Sequence, residues 1–146
     1  MKWFIGIDPG LNGGLAVIGE DGLYGSASPS PMPETIGDLA ALFANFPAYG
    51  TACIEKVASS PQMGVRSVFT FGRNYGLLLM GLAMCHIPYT EVPPGVWQRT
   101  MGCLSKGDKN VTKNRAQQLF PDLHITHKTA DALLLAEYCR RKELGL

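Results

Sequence analysis

Asp8 stands at the end of an apolar run, and it is the first residue whose placement indicates chemistry. The run covers residues 3–7, a Pro-Gly pair follows Asp8, and a second apolar run begins at Leu15. This pattern predicts a buried strand, a turn and a returning strand. A carboxylate at the end of a buried strand is costly unless a cation lies beside it, and carboxylate oxygen is the natural ligand of a divalent metal ion. Asp-Pro-Gly is also ordinary turn chemistry, so this segment alone leaves both interpretations open.

Two further carboxylates follow the same logic. Glu55 lies in the short apolar segment 51–57, and Asp131 lies in the first turns of a C-terminal helix. Right-handed crossovers would place the strand of Glu55 beside the strand of Asp8, and a helix across that sheet edge could add Asp131. Three converging carboxylates cannot all ionise without a cation between them. Two divalent ions about 4 Å apart form the usual phosphodiester-cleaving site.

The elements that must position these carboxylates follow from hydrophobic period and turn residues. Strands are predicted at residues 2–8, 13–19, 23–27, 51–57 and 87–92, and helices at 34–46, 65–85, 94–102, 110–119 and 126–144. Residues 28–33 contain three prolines and are predicted to form a loop, because proline cannot join a ladder. The order predicts an α/β fold: a five-stranded mixed sheet, three antiparallel strands and then two parallel ones, flanked by helices.

Length and composition predict a single domain over residues 1–146 in a cytoplasmic protein. The hydrophobic content of 46% is too high for a disordered chain. No apolar run reaches transmembrane length, so no membrane partner is expected, and Met1-Lys2 leads into the first strand without a signal peptide. The four cysteines form no CxxC pair, so neither a zinc site nor a disulfide framework is indicated.

Charge is distributed unevenly although the net charge is only +1. Residues 1–55 carry a net −5 and residues 56–146 a net +6, which predicts a polyanionic partner met mainly by the second part. Four bases fall within ten residues, at Lys106, Lys109, Lys113 and Arg115, and suit phosphate contacts. Arg66 and Arg73 share one side of a predicted helix, where they could flank DNA. A solvated basic face is the alternative for both groups.

The three carboxylate segments together resemble the motifs of RuvC-type Holliday junction resolvases. The segments are residues 5–10 (Ile-Gly-Ile-Asp-Pro-Gly), 54–57 (Ile-Glu-Lys-Val) and 130–133 (Ala-Asp-Ala-Leu). They occur in that family's order with similar spacing, and the likeness covers nearly the whole chain. The resemblance implies an RNase H-like fold and paired nicking of four-way (branched) DNA junctions by a homodimer, in DNA recombination and repair. It also implies two Mg²⁺ or Mn²⁺ ions at Asp8, Glu55 and Asp131, and DNA-backbone contacts from the basic segment.

The chain departs from that family at two places. The family generally has a fourth acidic residue or histidine three positions before the last aspartate, where this chain has Lys128 beside His127. Lys128 could contact the scissile phosphate, orient the attacking water or only charge the helix start, and His127 could supply a metal ligand instead. The family often has a base-stacking aromatic after the glutamate motif, where this chain has residues 58–60, Ala-Ser-Ser. Phe69 and Phe71 are nearby, but their helical spacing favours core positions. The shortened loop is typical of a compact, phage-type member from a bacterial or phage-infected cell.

The sequence therefore favours a metal-dependent, structure-specific DNA endonuclease. Another RNase H-fold nuclease, acting on flaps or RNA–DNA hybrids, is an alternative enzyme. A junction-binding protein without cleavage is the alternative from another class, because lysine occupies the fourth site position. A nucleotide-binding domain of the actin–hexokinase type is disfavoured, since that fold needs two such domains.

The helix predicted at residues 65–85 is expected to carry the homodimer contact. Its apolar residues extend around more of the helix circumference than one sheet face can cover. The alternative is that the C-terminal helix of the same chain covers the remaining apolar side.

Overall fold

Five strands and five helices make up the fold in the computed structural model, which describes residues 1–22 and 28–146. The strands are β1 (Trp3–Asp8), β2 (Gly14–Gly19), β3 (Ser28–Pro31), β4 (Gly50–Glu55) and β5 (Tyr89–Val92). The helices are α1 (Ile36–Ala44), α2 (Val65–Met84), α3 (Pro94–Thr100), α4 (Lys109–Leu119) and α5 (His127–Leu144). The strand predicted at residues 23–27 lies outside the described residues.

The strands form one mixed sheet in the order β3-β2-β1-β4-β5. β2 is antiparallel to both β1 and β3, whereas β4 is parallel to β1 and β5. The predicted α/β class and five-stranded mixed sheet are therefore confirmed. Ile7 pairs with Ile54 in the parallel register, so the next residues, Asp8 and Glu55, end adjacent strands at the same edge.

The prediction that residues 28–33 form a loop is wrong, because residues 28–31 form β3. Ser28 pairs with Val17 and Pro31 with Gly14, at the edge of the sheet. An edge strand tolerates proline, since the missing N–H can lie on the side without a neighbouring strand. On the partner strand β2, the apolar residues Leu15 and Ala16 pair with Ser30 and Pro29.

The two faces of the sheet are covered by different helices. One core joins Phe4, Ile18 and Cys53 of the sheet to α3, α4 and α5. The other joins Ile5 and Ile54 to α1 and α2. Since α5 and α2 lie on opposite faces, α5 does not cover the outer side of α2. Among the described residues no helix has both the length and the apolar character needed to cross a membrane.

Gly6 allows α5 to lie directly on β1. A Cβ atom at this position would overlap the carbonyl oxygen of Ala132 and the amide nitrogen of Ala136. Side chains alternate along a strand, so Gly6 and Asp8 face the same side of the sheet. Because Asp131 directly precedes Ala132, the close approach of α5 to Gly6 brings Asp131 to the end of β1 near Asp8.

Candidate active site

The turn after β1 presents Asp8 at the edge of the sheet. Gly10 has φ of 101°, a left-handed conformation that favours glycine, and its carbonyl accepts a hydrogen bond from Gly13 N–H at 3.0 Å. A Cβ at Gly13 would overlap the carbonyl oxygen of Asp8, so glycine is required for this tight return. The glycines after Asp8 therefore allow the tight turn that places the Asp8 carboxylate at the edge of the sheet.

Glu55 is held by a tryptophan that the sequence analysis did not single out. Trp97 lies on α3, is fully buried, and donates its Nε1–H to Glu55 Oε2 at 2.8 Å. The bond stabilises the ionised carboxylate and fixes one of its oxygens, which leaves the other oxygen to face a ligand. Trp97 follows Glu55 by 42 positions, and no spacing rule links the two residues.

Asp131 is held between α5 and α4. The capping box of Thr126 and Thr129 fixes the first turn of α5, one turn before Asp131. Thr112, buried on α4, donates its hydroxyl proton to the Lys109 carbonyl at 3.3 Å and lies close enough to Asp131 to lower the pKa of that carboxylate. Thr112 is a second site residue that sequence reasoning missed, because a threonine inside a helix gives no signal by itself.

All three carboxylates are half-buried and have raised pKa values, as expected of neighbouring carboxylates in one partly desolvated region. Burial is the largest cause of the raised pKa of Asp8, and repulsion from Asp131 and Glu55 adds to it. Burial also raises the pKa of Glu55 against the Trp97 hydrogen bond, and Asp131 raises it further. For Asp131, burial again outweighs the lowering effects of Thr112 and nearby cations. Such a cluster of mutually repelling carboxylates is typical of a functional site.

Two cationic side chains lie close enough to influence the cluster. Lys109, predicted to contact DNA, lowers the pKa of both Asp8 and Asp131 through its positive charge. His127 lowers the pKa of Asp131 and is therefore near it at the start of α5. Lys128 is exposed in the same first turn of α5. The structure thus places all three residues at or beside the carboxylate edge.

The donor set fits a divalent cation in its chemistry. Three carboxylates supply hard oxygen donors, and a dication would relieve both the desolvation and the mutual repulsion that raise their pKa values. Within residues 1–22 and 28–146, no three His, Cys, Asp or Glu side chains already stand in the arrangement that holds one ion.

The remaining predicted DNA contacts lie on two surfaces. Lys106 is exposed before α4 and Lys113 is partly buried on it, whereas Arg115 donates from Nε to the Met101 carbonyl at 2.9 Å. Part of the Arg115 guanidinium is therefore engaged in joining α4 to the end of α3. Arg66 and Arg73 are exposed on α2 and border hollows that both include Leu11 and Thr70, next to the turn after Asp8.

The expectation that Phe69 and Phe71 are core residues is wrong for Phe69. Phe69 is 73% exposed on α2, whereas Phe71 is half-buried and packs against the turn at Gly10. Helical spacing places a residue on a face of the helix, but it does not say whether another element covers that face.

The raised pKa of Asp8 leads to a pH prediction for the metal-free protein. The unfolded chain ionises Asp8 near its ordinary 3.8, whereas the folded chain holds the proton to higher pH. This stabilising contribution is complete below 3.8 and is lost as pH rises through the raised folded pKa. We expect the free energy of unfolding of the wild type, relative to Asp8→Asn, to fall between acidic and neutral pH. Urea unfolding in a chelator at several pH values measures this difference, and a rise with pH would contradict it.

Comparison with known proteins places the fold but gives no sequence match. No protein-family model matches the chain, and no curated protein matches it. Among solved structures, RuvC of Thermus thermophilus in complex with a Holliday junction substrate has a TM-score of 0.67 and 16% identity, over 99% of this chain and 97% of that one. A second Thermus thermophilus RuvC structure has a TM-score of 0.67 and 17% identity, over 98% and 96% of the two chains. The protein therefore has the RNase H-like fold of RuvC.

Proposed function

We propose that this protein is a metal-dependent endonuclease that resolves four-way DNA junctions. The observation that carries the proposal is the gathering of Asp8, Glu55 and Asp131, with raised pKa values, at one edge of a sheet. The fold around them is shared over nearly its full length with a RuvC structure bound to a Holliday junction substrate. The three motif segments quoted above place these carboxylates on β1, β4 and α5 of this chain.

The carboxylates would hold two Mg²⁺ or Mn²⁺ ions. When bound, the ions supply an activated water and neutralise charge on the leaving oxygen. Asp8 and Glu55, on adjacent strands, would provide oxygen donors from the sheet, and Asp131 would provide a donor from α5. Trp97 would keep one oxygen of Glu55 occupied, which orients the other. Thr112 would orient Asp131 from α4 in the same way.

His127 and Lys128 would complete the edge at the start of α5. The charge interaction between His127 and Asp131 supports His127 as an additional metal ligand when its imidazole is neutral. Lys128 cannot ligate a metal while protonated, and its exposed position suits contact with the scissile phosphate. Lys109 is exposed and its charge reaches Asp8 and Asp131, so it would contact a DNA phosphate beside those carboxylates.

The basic residues on either side of the carboxylate edge would bind the DNA backbone. Lys106, Lys109, Lys113 and Arg115 lie on or next to α4, and Arg66 and Arg73 lie on α2. The two groups are carried by helices on opposite faces of the sheet, and the carboxylates lie at its edge on the face of α4 and α5. A duplex arm lying across the edge would therefore meet positive charge on both sides.

We expect Lys106→Ala and Lys113→Ala each to weaken junction binding and to flatten its salt dependence. Each lost phosphate contact should lower the slope of log K against log salt by about one. Fluorescence anisotropy in a metal-free buffer over a series of salt concentrations measures the slope. Lys142→Ala is the matched control, because Lys142 lies in the last turn of α5, away from this edge. If the variant that combines Lys106→Ala and Lys113→Ala keeps the wild-type slope of log K against log salt, the DNA-backbone contacts lie elsewhere.

The protein would act as a homodimer formed through the outer side of α2. At 100° per residue, six residues of this helix fall within an arc of about 80° on its outer side. We call them the α2 stripe: Val65, Phe69, Gly72, Gly76, Met80 and Ala83. Val65 and Phe69 are 87% and 73% exposed, and Met80 is 61% exposed. A Cβ at Gly72 or Gly76 would meet nothing within 4 Å, so this side of the helix is open to a second copy.

A second copy is the occupant that best fits the α2 stripe. The stripe is apolar and small in its centre, which allows two helices to approach closely, and α5 of the same chain lies on the opposite sheet face. A four-way junction has two symmetry-related strands to cut, and a twofold dimer places one site on each. The dimer and the substrate therefore share one symmetry.

A panel of substrates separates this proposal from its alternatives. Labelled four-way junction, 5′-flap and RNA–DNA hybrid of matched length are incubated with the protein in Mg²⁺. Preferential cleavage of the junction supports the proposal. Preferential cleavage of the flap or the hybrid would assign another RNase H-fold nuclease, and junction binding without product in Mg²⁺ or Mn²⁺ would assign a binding protein.

A further inference from the structure

Asn74 is a buried polar residue on the inner side of α2, and it has no role in the metal binding or DNA contacts proposed above. It is 7% exposed and lies about 180° around the helix from Val65, opposite the α2 stripe. Its side-chain Oδ1 accepts a hydrogen bond from the backbone N–H of Gly10 at 2.7 Å. The bond joins two segments 64 positions apart in sequence, so no local rule of helix capping or turn formation explains it.

The acceptor is aimed at the turn that presents Asp8. Gly10 is buried, and without Asn74 its N–H would lose its acceptor away from water, which is costly. Phe71, one turn before Asn74 on α2, lies where a Cβ at Gly10 would approach its ring at 2.7 Å. Phe71 and Asn74 therefore fix Gly10 sterically and by hydrogen bonding, two residues after Asp8.

The Asp8 side chain itself faces the α5 side of the sheet, whereas α2 packs on the other side. Glu55 is held on the α5 side by the hydrogen bond from Trp97, and Thr112 lies beside Asp131 on that side. The anchor for Asp8 comes from the opposite face and acts through the backbone of the turn.

We propose that Asn74 is a positioning residue for the metal site, acting through Gly10 to hold Asp8 in register with Glu55 and Asp131. The inference deepens the proposed function and rests on it for the identity of the ligand. Since α2 also carries the α2 stripe, Arg66 and Arg73, Asn74 connects the surfaces proposed for the second copy and for DNA to the site of chemistry.

Three variants test this role. Asn74→Leu removes the acceptor and keeps the branching at Cγ, whereas Asn74→Asp keeps an oxygen acceptor at the same place. Asn45→Leu is the matched control, because the Asn45 side chain also hydrogen-bonds the backbone, donating from Nδ2 to the Ala41 carbonyl at 2.9 Å. Asn45 borders a hollow with Trp3 and so lies at the opposite end of β1 from Asp8.

Three readouts are taken on the full-length protein. Amide hydrogen exchange at Gly10 reports the hydrogen bond, calorimetric titration with Mn²⁺ reports the metal site without DNA, and single-turnover cleavage is compared with junction affinity. We expect Asn74→Leu to speed Gly10 exchange and to weaken Mn²⁺ binding about 10–100-fold. We expect it to slow cleavage by a similar factor with junction affinity changed less than about twofold. Asn74→Asp should recover much of the Mn²⁺ affinity, and Asn45→Leu should match the wild type.

The outcomes separate this inference from the function on which it rests. If the wild type binds Mn²⁺ and Asn74→Leu binds it more weakly, but no junction is cut, the positioning role stands and the resolvase proposal fails. If Asn74→Leu matches the wild type in Mn²⁺ affinity and cleavage, the positioning role is overturned. Rapid exchange of the Gly10 amide in the wild type would overturn the positioning role without any variant. A wild type that binds no Mn²⁺ would overturn both the positioning role and the resolvase proposal.

Discussion

Asp8→Asn, Glu55→Gln and Asp131→Asn are each expected to abolish cleavage of a four-way junction. Each change removes one anionic oxygen donor at nearly constant volume from the set that would hold the metal ions. Loss of a metal ligand should cost several kcal/mol of transition-state stabilisation, which corresponds to about a thousandfold or more in rate. Single-turnover assays with a labelled junction in Mg²⁺ measure the loss, with Asp38→Asn on α1 as the matched control.

The same three variants should fold and bind the junction about as well as the wild type. Burial and mutual repulsion raise the pKa values of these carboxylates, so removing one charge relieves repulsion in the metal-free protein. We therefore expect the free energy of unfolding in a chelator to be unchanged or higher at neutral pH, and stabilisation by added Mg²⁺ to be lost. Cleavage by Asp8→Asn at near wild-type rate would rule out the two-metal site.

Met80→Glu and Phe69→Glu should convert the protein from a dimer to a monomer. Both side chains are largely exposed in the single chain, at 61% and 73%, so a charge there should leave folding intact. Two glutamates would face each other across a twofold contact, which destabilises it by charge repulsion and desolvation. Sedimentation equilibrium at micromolar concentration should give twice 15.8 kDa for the wild type and 15.8 kDa for the variants.

Loss of the dimer should also change the pattern of cleavage. A monomer can nick one strand at a time, so the variants should accumulate singly nicked junctions where the wild type yields paired nicks. Ala48→Glu is the matched control, because Ala48 is exposed just before β4, at the end of that strand opposite Glu55, and lies outside the α2 stripe. A wild type that remains at 15.8 kDa, free and on junction DNA, would contradict the dimer and the coordinated mechanism together.

The sequence was sufficient to predict the frame of the site. Apolar runs ending in carboxylates placed Asp8 and Glu55 at strand ends, and the crossover rule placed their strands side by side, as the pairing of Ile7 with Ile54 confirms. The third carboxylate, Asp131, followed from a helical period near the C-terminus. The strand predictions succeed because burial of both faces of the sheet requires continuous apolar runs, which are a local pattern.

The contacts that hold the carboxylates could not be predicted in the same way. Trp97, Thr112 and Asn74 reach their partners from other elements across long sequence separations, and no period or spacing relates them. The proline-containing strand β3 was missed because its edge position in the sheet, which makes proline tolerable, is a tertiary property. The exposure of Phe69 could not be predicted either, because it depends on whether another element of the fold covers that side of α2.

One measurement tests the central proposal most directly. A four-way junction labelled in turn on each strand is incubated with wild-type protein and with Asp8→Asn, with and without Mg²⁺. Nicks at symmetric positions in two opposed strands, present only with wild-type protein and Mg²⁺, are the expected result. A junction that is bound but left uncut by the wild type in Mg²⁺ or Mn²⁺, or cut equally by Asp8→Asn, would contradict the proposal.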